Sequence, residues 1–246
     1  MTPTTGVDTA PAPRPGETGR KPAAILFDLD GTLLDTAPDL IGCAEELLRE
    51  QGITPPPAAS LLPVVSQGSV GIVRHAFHLA VGEPRIEALQ KRFLGLYENR
   101  LSRCTRPFEG IPEVLDAIER RGLAWAVVTN KPAWLTVPLL RELGLAGRPG
   151  CIVCGDTLGH SKPHPAPLLH ACRLLGIEPG RTLMVGDDRR DVIAGHAAGT
   201  GTLAALFGYI GAGDHPADWG ADGLLADPLD LLAWLDRDMY TVARKY

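Results

Sequence analysis

The sequence is short of the features that mark several protein classes. It has no long run of Lys and Arg, and its formal net charge is −5. That argues against a basic surface for nonspecific nucleic-acid binding. No apolar run is long enough to span a bilayer, and no apolar core of signal-peptide length stands near the start. No membrane partner and a cytoplasmic location are therefore expected. Cysteine is sparse and odd in number, five in 246 residues, which suits a reducing compartment better than a disulfide framework. Residues 1–22 are rich in Pro, Thr and Gly and almost without large apolar side chains. They bury too little surface to offset ordering, so a disordered tail is expected there. Cys151 and Cys154 make a lone CxxC inside a β-branched stretch, which reads as small hydrophobes in a strand. His160, His164 and His170 lack HExxH spacing and read as loop and helix residues.

What is present is an ordinary hydrophobic fraction, 45%, in a chain longer than a usual single domain. One large domain, or a domain with an insertion, is expected. The chain is organised around residues 23–36, AAILFDLDGTLLDT. The apolar run ending in polar residues and Gly reads as a strand buried on both faces. In an open parallel sheet such a strand delivers its last side chains to a crevice at the carboxyl edge, which places Asp28 at the tip. Asp30 follows at the strand period of two and can project into the same crevice. Two carboxylates side by side need a cation or share a proton.

The segment Asp28-Leu29-Asp30-Gly31-Thr32-Leu33 resembles the first motif of the haloacid dehalogenase-like (HAD) hydrolases, most of which are phosphatases. The resemblance implies Asp28 as nucleophile and Asp30 as acid/base. It also implies three further motifs, and candidates for all three occur in order. Residues 123–129, LAWAVVT, read as a buried strand followed by Asn130-Lys131-Pro132. This is similar to the second motif, in which Thr129 donates its hydroxyl to a phosphoryl oxygen together with nearby backbone N–H groups; Asn130 and Gly31 are candidates for that phosphate cradle. Lys162-Pro163-His164-Pro165 resembles the third motif. Its prolines hold the loop rigid, so that the compact Lys162 ammonium is in place before substrate arrives. Gly186-Asp187-Asp188-Arg189-Arg190-Asp191 after a strand at 181–185 resembles the fourth. Asp187 matches the metal-ligating aspartate, with Asp28 and Asp30 as the other metal residues, and Asp188 and Asp191 would orient it or bind the metal's waters. An all-oxygen donor set with a phosphoryl substrate points to Mg²⁺.

Between these motifs, residues 37–105 give helices and no convincing strand. Thr36 reads as a cap, with Asp39 three residues on and Pro38 in the first turn. A second helix is expected from about Ser69 until Gly82, with Ala80 and Val81 on its apolar side, and a third from about Pro84. A single crossover seldom needs so many residues. The segment resembles the helical cap that many members of this family carry, inserted into a core of residues 23–36 and 106–246. The expected fold is thus α/β, a HAD-like Rossmannoid parallel sheet flanked by helices with an inserted α-helical cap. Further helices are expected at 139–145, 167–175, 193–198 and 228–234.

The resemblance is closest to the phosphoglycolate phosphatase-like branch, which implies 2-phosphoglycolate as substrate. Residues 128–132, 207–210 and 219–222 are also similar to phosphatases of N-acetylmuramic acid 6-phosphate. Both esters carry a carboxylate, for which Ser69 and Arg74, in and after Ser66-Gln67-Gly68-Ser69, are the candidate cap residues. A dehalogenase has no use for Asp30 or the acidic cluster, and a phosphonatase lacks the second aspartate. A sugar phosphomutase would keep all four motifs and is the remaining alternative on fold-level analogy. A noncatalytic binding module would be expected to lose a charged motif residue, and none is missing.

Overall fold

Four consecutive apolar residues, Ala24–Phe27, form β1, and all four are buried. In the computed structural model of the protein, which describes residues 21–236, this strand lies at the middle of a six-stranded sheet. The expected tail falls, but for its last two residues, outside the described part. After β1 come β2 (Leu34–Asp35), the helices α1 (Ala37–Glu50), α2 (Ala58–Leu61), α3 (Gly68–Ala76) and α4 (Arg85–Glu98), and then β3 (Arg106–Pro107). The chain continues as α5 (Ile111–Arg120), β4 (Ala124–Val128), α6 (Ala133–Glu142), β5 (Cys151–Val153), α7 (Ala166–Leu175), β6 (Thr182–Gly186), α8 (Arg189–Ala198), β7 (Gly201–Ala205), β8 (Gly223–Leu225) and α9 (Asp230–Asp236). The sheet order is β5-β4-β1-β6-β7-β8, with every pairing parallel. Alternate strand side chains feed two cores. Ile25, Phe27, Val127 and Val185 pack with Val114, Leu115 and Leu139 on one face. Leu26, Ala126, Val128 and Met184 pack with Leu168 and Ala194 on the other. The fold is α/β, with the sheet covered by helices on both faces. Because β1 has β4 on one side and β6 on the other, the crevice beyond their carboxyl ends is where this topology places a ligand.

The helices α1, α3 and α4 have a core of their own, built from Leu47, Leu48, Ile72, Val73, Phe93 and Tyr97. The short β2 and β3 pair antiparallel where this helical segment leaves and rejoins the sheet, a feature two residues long that no periodicity announces. Thr36 precedes α1 but makes no side-chain cap bond, contrary to expectation. The Ala37 N–H is instead satisfied by the Tyr209 hydroxyl, at 2.8 Å. Asp39 is also committed elsewhere. Fully buried, its carboxylate accepts from the Cys104 N–H, the Thr105 N–H and the Thr105 hydroxyl at 2.8–3.1 Å. Those bonds fasten the end of the helical segment to its beginning.

Three other expectations differ in extent. The helix foreseen from Ser69 to Gly82 begins at Gly68 and ends at Ala76, so Ala80 and Val81 lie beyond it and are exposed. Helix α6 begins at Ala133 rather than 139 and carries Pro138 in its interior. Burial of Leu135, Leu139 and Leu140 outweighs the bond that the proline cannot donate. Helix α8 begins at Arg189 rather than 193, because Asp188 and Asp191 form a reciprocal capping box around a polar first turn.

Candidate active site

Strand β1 ends one residue before Asp28, whose N–H continues the ladder to the Val185 carbonyl at 2.9 Å. Strand β6, next to it, ends immediately before Asp187. Oxygens of Asp28, Asp187 and Asp191 all lie within 4.8 Å of one another. Asp187 is buried, and its carboxylate is fixed from three directions. Thr32 donates its hydroxyl to Oδ1 at 2.9 Å. The Tyr209 N–H and the Ser66 hydroxyl donate to Oδ2 at 2.9 and 3.1 Å. Two glycines permit this crowding. Gly31 turns the chain at φ +84°, and a Cβ there would stand 2.1 Å from Asp187 Oδ2. A Cβ on Gly208 would stand 2.3 Å from both Asp187 Cβ and the Gly31 carbonyl oxygen.

Lys162 is buried against this cluster, with Nζ 2.9 Å from Asp28 and 2.7 Å from Asp191, and it donates to the Val128 carbonyl at 2.7 Å. Burial works against its charge, but the two aspartates raise its pKa above the ordinary lysine value. Burial, together with the neighbouring Asp28 and Asp191, pushes Asp187 up to about 8. Asp191 is pushed up to about 7, by burial first and by Asp28, against the opposing charge of Lys162. One lysine among three close carboxylates leaves an excess of negative charge, which a cation relieves. The donor set is entirely oxygen, so it fits a hard divalent ion.

The other expected residues divide. Thr129, at the tip of β4, lines the cavity with its hydroxyl 3.2 Å from the Lys131 N–H. Asn130 lines it too, but its amide is spent: Nδ2 donates to the Lys162 carbonyl and Oδ1 accepts from the Lys162 N–H, both at 2.9 Å. Its side chain holds the lysine loop rather than a phosphate. The Gly31 N–H is likewise taken, by the Leu34 carbonyl at 3.0 Å, so Gly31 admits Asp187 rather than cradling an anion. The Asp30 carboxylate lies outside the three-carboxylate cluster, 2.9 Å from Lys131 Nζ, so its side chain is not placed as a metal ligand. Asp188 also lies outside it. Burial opposes its charge, but Arg190 overcomes this and holds its pKa below the ordinary value. Ser69 lines the cavity and accepts from Gln90 Nε2 at 3.0 Å, and it does not cap α3. Arg74 does not line it. It borders a separate depression with His75 and His78, on a side of α3 that the helical spacing carries away from Ser69.

The cavity is about 230 Å³ and runs between the strand tips and the helical segment. Its floor is Asp28, Asp30, Thr129 and Lys162; its walls are largely apolar, from Leu40, Val65, Val70, Phe93, Leu94 and Leu135. Three further lining residues stand outside the expected site residues. Lys131 stands in the loop after Thr129, where a lysine next to a strand tip was the available signal. Ser66 and Arg190 join across the cavity mouth, Arg190 donating to the Ser66 carbonyl and to Asp188. The CxxC cysteines are free thiols, and burial raises the pKa of both.

A family model described as haloacid dehalogenase-like hydrolase matches residues 25–205. An N-acetylmuramic acid 6-phosphate phosphatase from Pseudomonas aeruginosa is 46% identical over 214 residues, covering 87% of this chain and 95% of its own. A phosphoglycolate phosphatase from Xanthomonas campestris pv. campestris is 42% identical over 212 residues, covering 86% and 96%. The crystal structure of a predicted phosphoglycolate phosphatase from Haemophilus somnus superposes with a TM-score of 0.76 at 27% identity, covering 87% of this chain and 98% of that one.

Proposed function

The chain belongs to the haloacid dehalogenase-like hydrolases and is a phosphatase, and from there we propose that it hydrolyses N-acetylmuramic acid 6-phosphate with Asp28 as nucleophile. The apolar wall of the cavity carries the substrate choice. Each cationic side chain lining the cavity is already paired: Lys131 with Asp30, Lys162 with Asp28 and Asp191, Arg190 with Asp188. A two-carbon ester such as 2-phosphoglycolate has no apolar face to offer the wall of Val70, Phe93 and Leu94, and among the described residues no cation lining the cavity is left unpaired for its carboxylate. A sugar ring presents apolar faces to the same wall. Its lactyl carboxylate is attached across the ring from the phosphate, and the Ser69 hydroxyl, which lines the cavity, is the group assigned to it on this reading. Phosphoglycolate is the second reading, favoured by relatives of that name at 42% identity.

On this reading residues 37–105 act as a cap over the reacting centre, and the enzyme works in the cytoplasm. The Asp28 carboxylate attacks phosphorus and the ester oxygen departs with a proton from Asp30, leaving an aspartyl phosphate. Asp30 then takes a proton from water, which attacks phosphorus, frees inorganic phosphate and restores Asp28. Lys162 and the Thr129 hydroxyl face the phosphoryl oxygens, where negative charge is held in the transition state. Asp28, Asp187 and Asp191 would hold Mg²⁺, which supplies positive charge against the repulsion between carboxylates and a dianionic ester.

Phosphate release from N-acetylmuramic acid 6-phosphate, 2-phosphoglycolate, glucose 6-phosphate and p-nitrophenyl phosphate tests both parts. The muramic ester should exceed phosphoglycolate at least tenfold in kcat/KM, and the reverse order refutes the substrate. Turnover should vanish in EDTA, return with Mg²⁺, and fall to background in Asp28→Asn; a substantially active Asp28→Asn refutes the nucleophile.

A further inference from the structure

Lys131 is a buried cation with no part in the scheme above. Its Nζ lies 2.9 Å from Asp30 Oδ1 and 2.8 Å from the Tyr97 hydroxyl, and it sits 4.5 Å from the centroid of the Tyr97 ring. Burial disfavours its charge, yet Asp30 and Tyr97 raise its pKa above the ordinary value. The backbone at Lys131 is pinned as well. Its N–H reaches the Thr129 hydroxyl, and its carbonyl accepts from the Gly155 N–H at 3.0 Å and from the Thr136 hydroxyl at 3.3 Å. Tyr97 belongs to α4, in the helical segment, and its ring is wholly buried in that segment's core. A lysine so placed is held by its surroundings rather than by a substrate.

We propose that Lys131, braced by Tyr97, is a positioning residue that fixes the Asp30 carboxyl for proton transfer to the departing oxygen. The inference rests on Asp30 being the acid/base. The argument is geometric. A carboxyl group rotates freely about its last bond unless one oxygen is tied. With Oδ1 tied to Lys131, Oδ2 is the oxygen left to face the cavity, and proton transfer needs a donor within hydrogen-bond reach in a fixed direction. Because the brace comes from α4, the acid is aligned only while the helical segment lies against the strand tips. The proton that leaves Asp30 goes to the ester oxygen and is recovered from water in the second step, so Lys131 neither gains nor loses one.

Dependence on the leaving group separates this role from a structural one. A p-nitrophenolate leaves without much help from an acid, whereas a sugar alkoxide needs it. The Lys131→Met and Tyr97→Phe variants are compared with wild type and Asp30→Asn in single turnover, with p-nitrophenyl phosphate and with glucose 6-phosphate or N-acetylmuramic acid 6-phosphate. Lys131→Met should slow phosphoryl transfer from the alkyl ester by about 10- to 100-fold while changing the aryl ester less than about threefold. Tyr97→Phe keeps the ring, and should show the same selective loss at smaller size even if Lys131→Met does not fold. Equal losses on both esters, no loss, or a rise in KM alone would overturn the proposal, the last by making Lys131 a phosphate ligand. If Asp30→Asn itself shows no selectivity for the alkyl ester, it is the acid/base reading that fails.

Discussion

Replacing Gly208 by alanine adds one methyl group and should weaken metal binding as well as the fold. The backbone at Gly208 is not in the left-handed region, so alanine meets no conformational strain there. The obstacle is contact: the new Cβ would lie 2.3 Å from Asp187 Cβ and 2.3 Å from the Gly31 carbonyl oxygen. Carbon atoms settle at roughly 3.5 Å or more, so something must move by about 1 Å. Gly31 is held in its turn by the bond to Leu34, and Asp187 by Thr32, Ser66 and Tyr209, so neither gives way cheaply. Overpacking of this kind costs about 1–3 kcal/mol, which at about 2–4 °C per kcal/mol lowers Tm by about 2–12 °C. Disturbing the groups that orient a metal ligand costs about 10–100-fold in metal affinity. Mg²⁺ activation curves and thermal melts in EDTA should therefore separate the two effects. The half-saturating Mg²⁺ concentration should rise at least tenfold, with turnover largely recovered at high Mg²⁺. A Gly208→Ala enzyme whose Mg²⁺ curve overlays wild type refutes the link between this glycine and the metal site, whatever its Tm.

The metal-free protein should lose stability as pH rises. Asp187 and Asp191 titrate at about 8 and about 7 when folded against 3.8 ordinarily, so between those values the folded state holds more protons than the unfolded one and the slope is negative. In EDTA, Tm should fall from pH 5 to pH 8, Mg²⁺ should raise it most at pH 8, and Asp187→Asn should flatten the fall; a Tm that climbs with pH in EDTA contradicts the charge assignment. Asp39→Ala leaves the buried donors of Cys104 and Thr105 without a partner. It should cost about 3–5 kcal/mol, a drop in Tm of roughly 10 °C, and retention of wild-type Tm would show that the fastening is not needed.

The strand tips are legible because the side chains of the candidate site stand where apolar runs stop. Asp28, Thr129 and Asp187 each follow such a run, and local sequence is enough to see that. What was illegible depends on distance. Tyr97 is buried in the core of the helical segment; only its contact with Lys131, 34 residues on, shows a second use. Asn130 and Gly31 carry the right polarity for a phosphate cradle, but their groups are consumed by Lys162 and Leu34. Spacing alone does not count the hydrogen bonds a residue has already made. Arg74 lies on the same helix as Ser69 but on another side, because residues five apart in a helix do not share a face.

The bonds from Asp39 to Cys104 and Thr105 also bear on how such a chain changes over generations. They join the two ends of the helical segment beside the β2–β3 pair, so the sheet receives both ends at one point whatever lies between. Loop closure becomes dearer only with the logarithm of length, and here a carboxylate supplies the closure. Insertions, deletions and substitutions between the pinned ends then reach the sheet only weakly. New walls for the cavity can be tried by descent while the carboxylates at the strand tips stay in register.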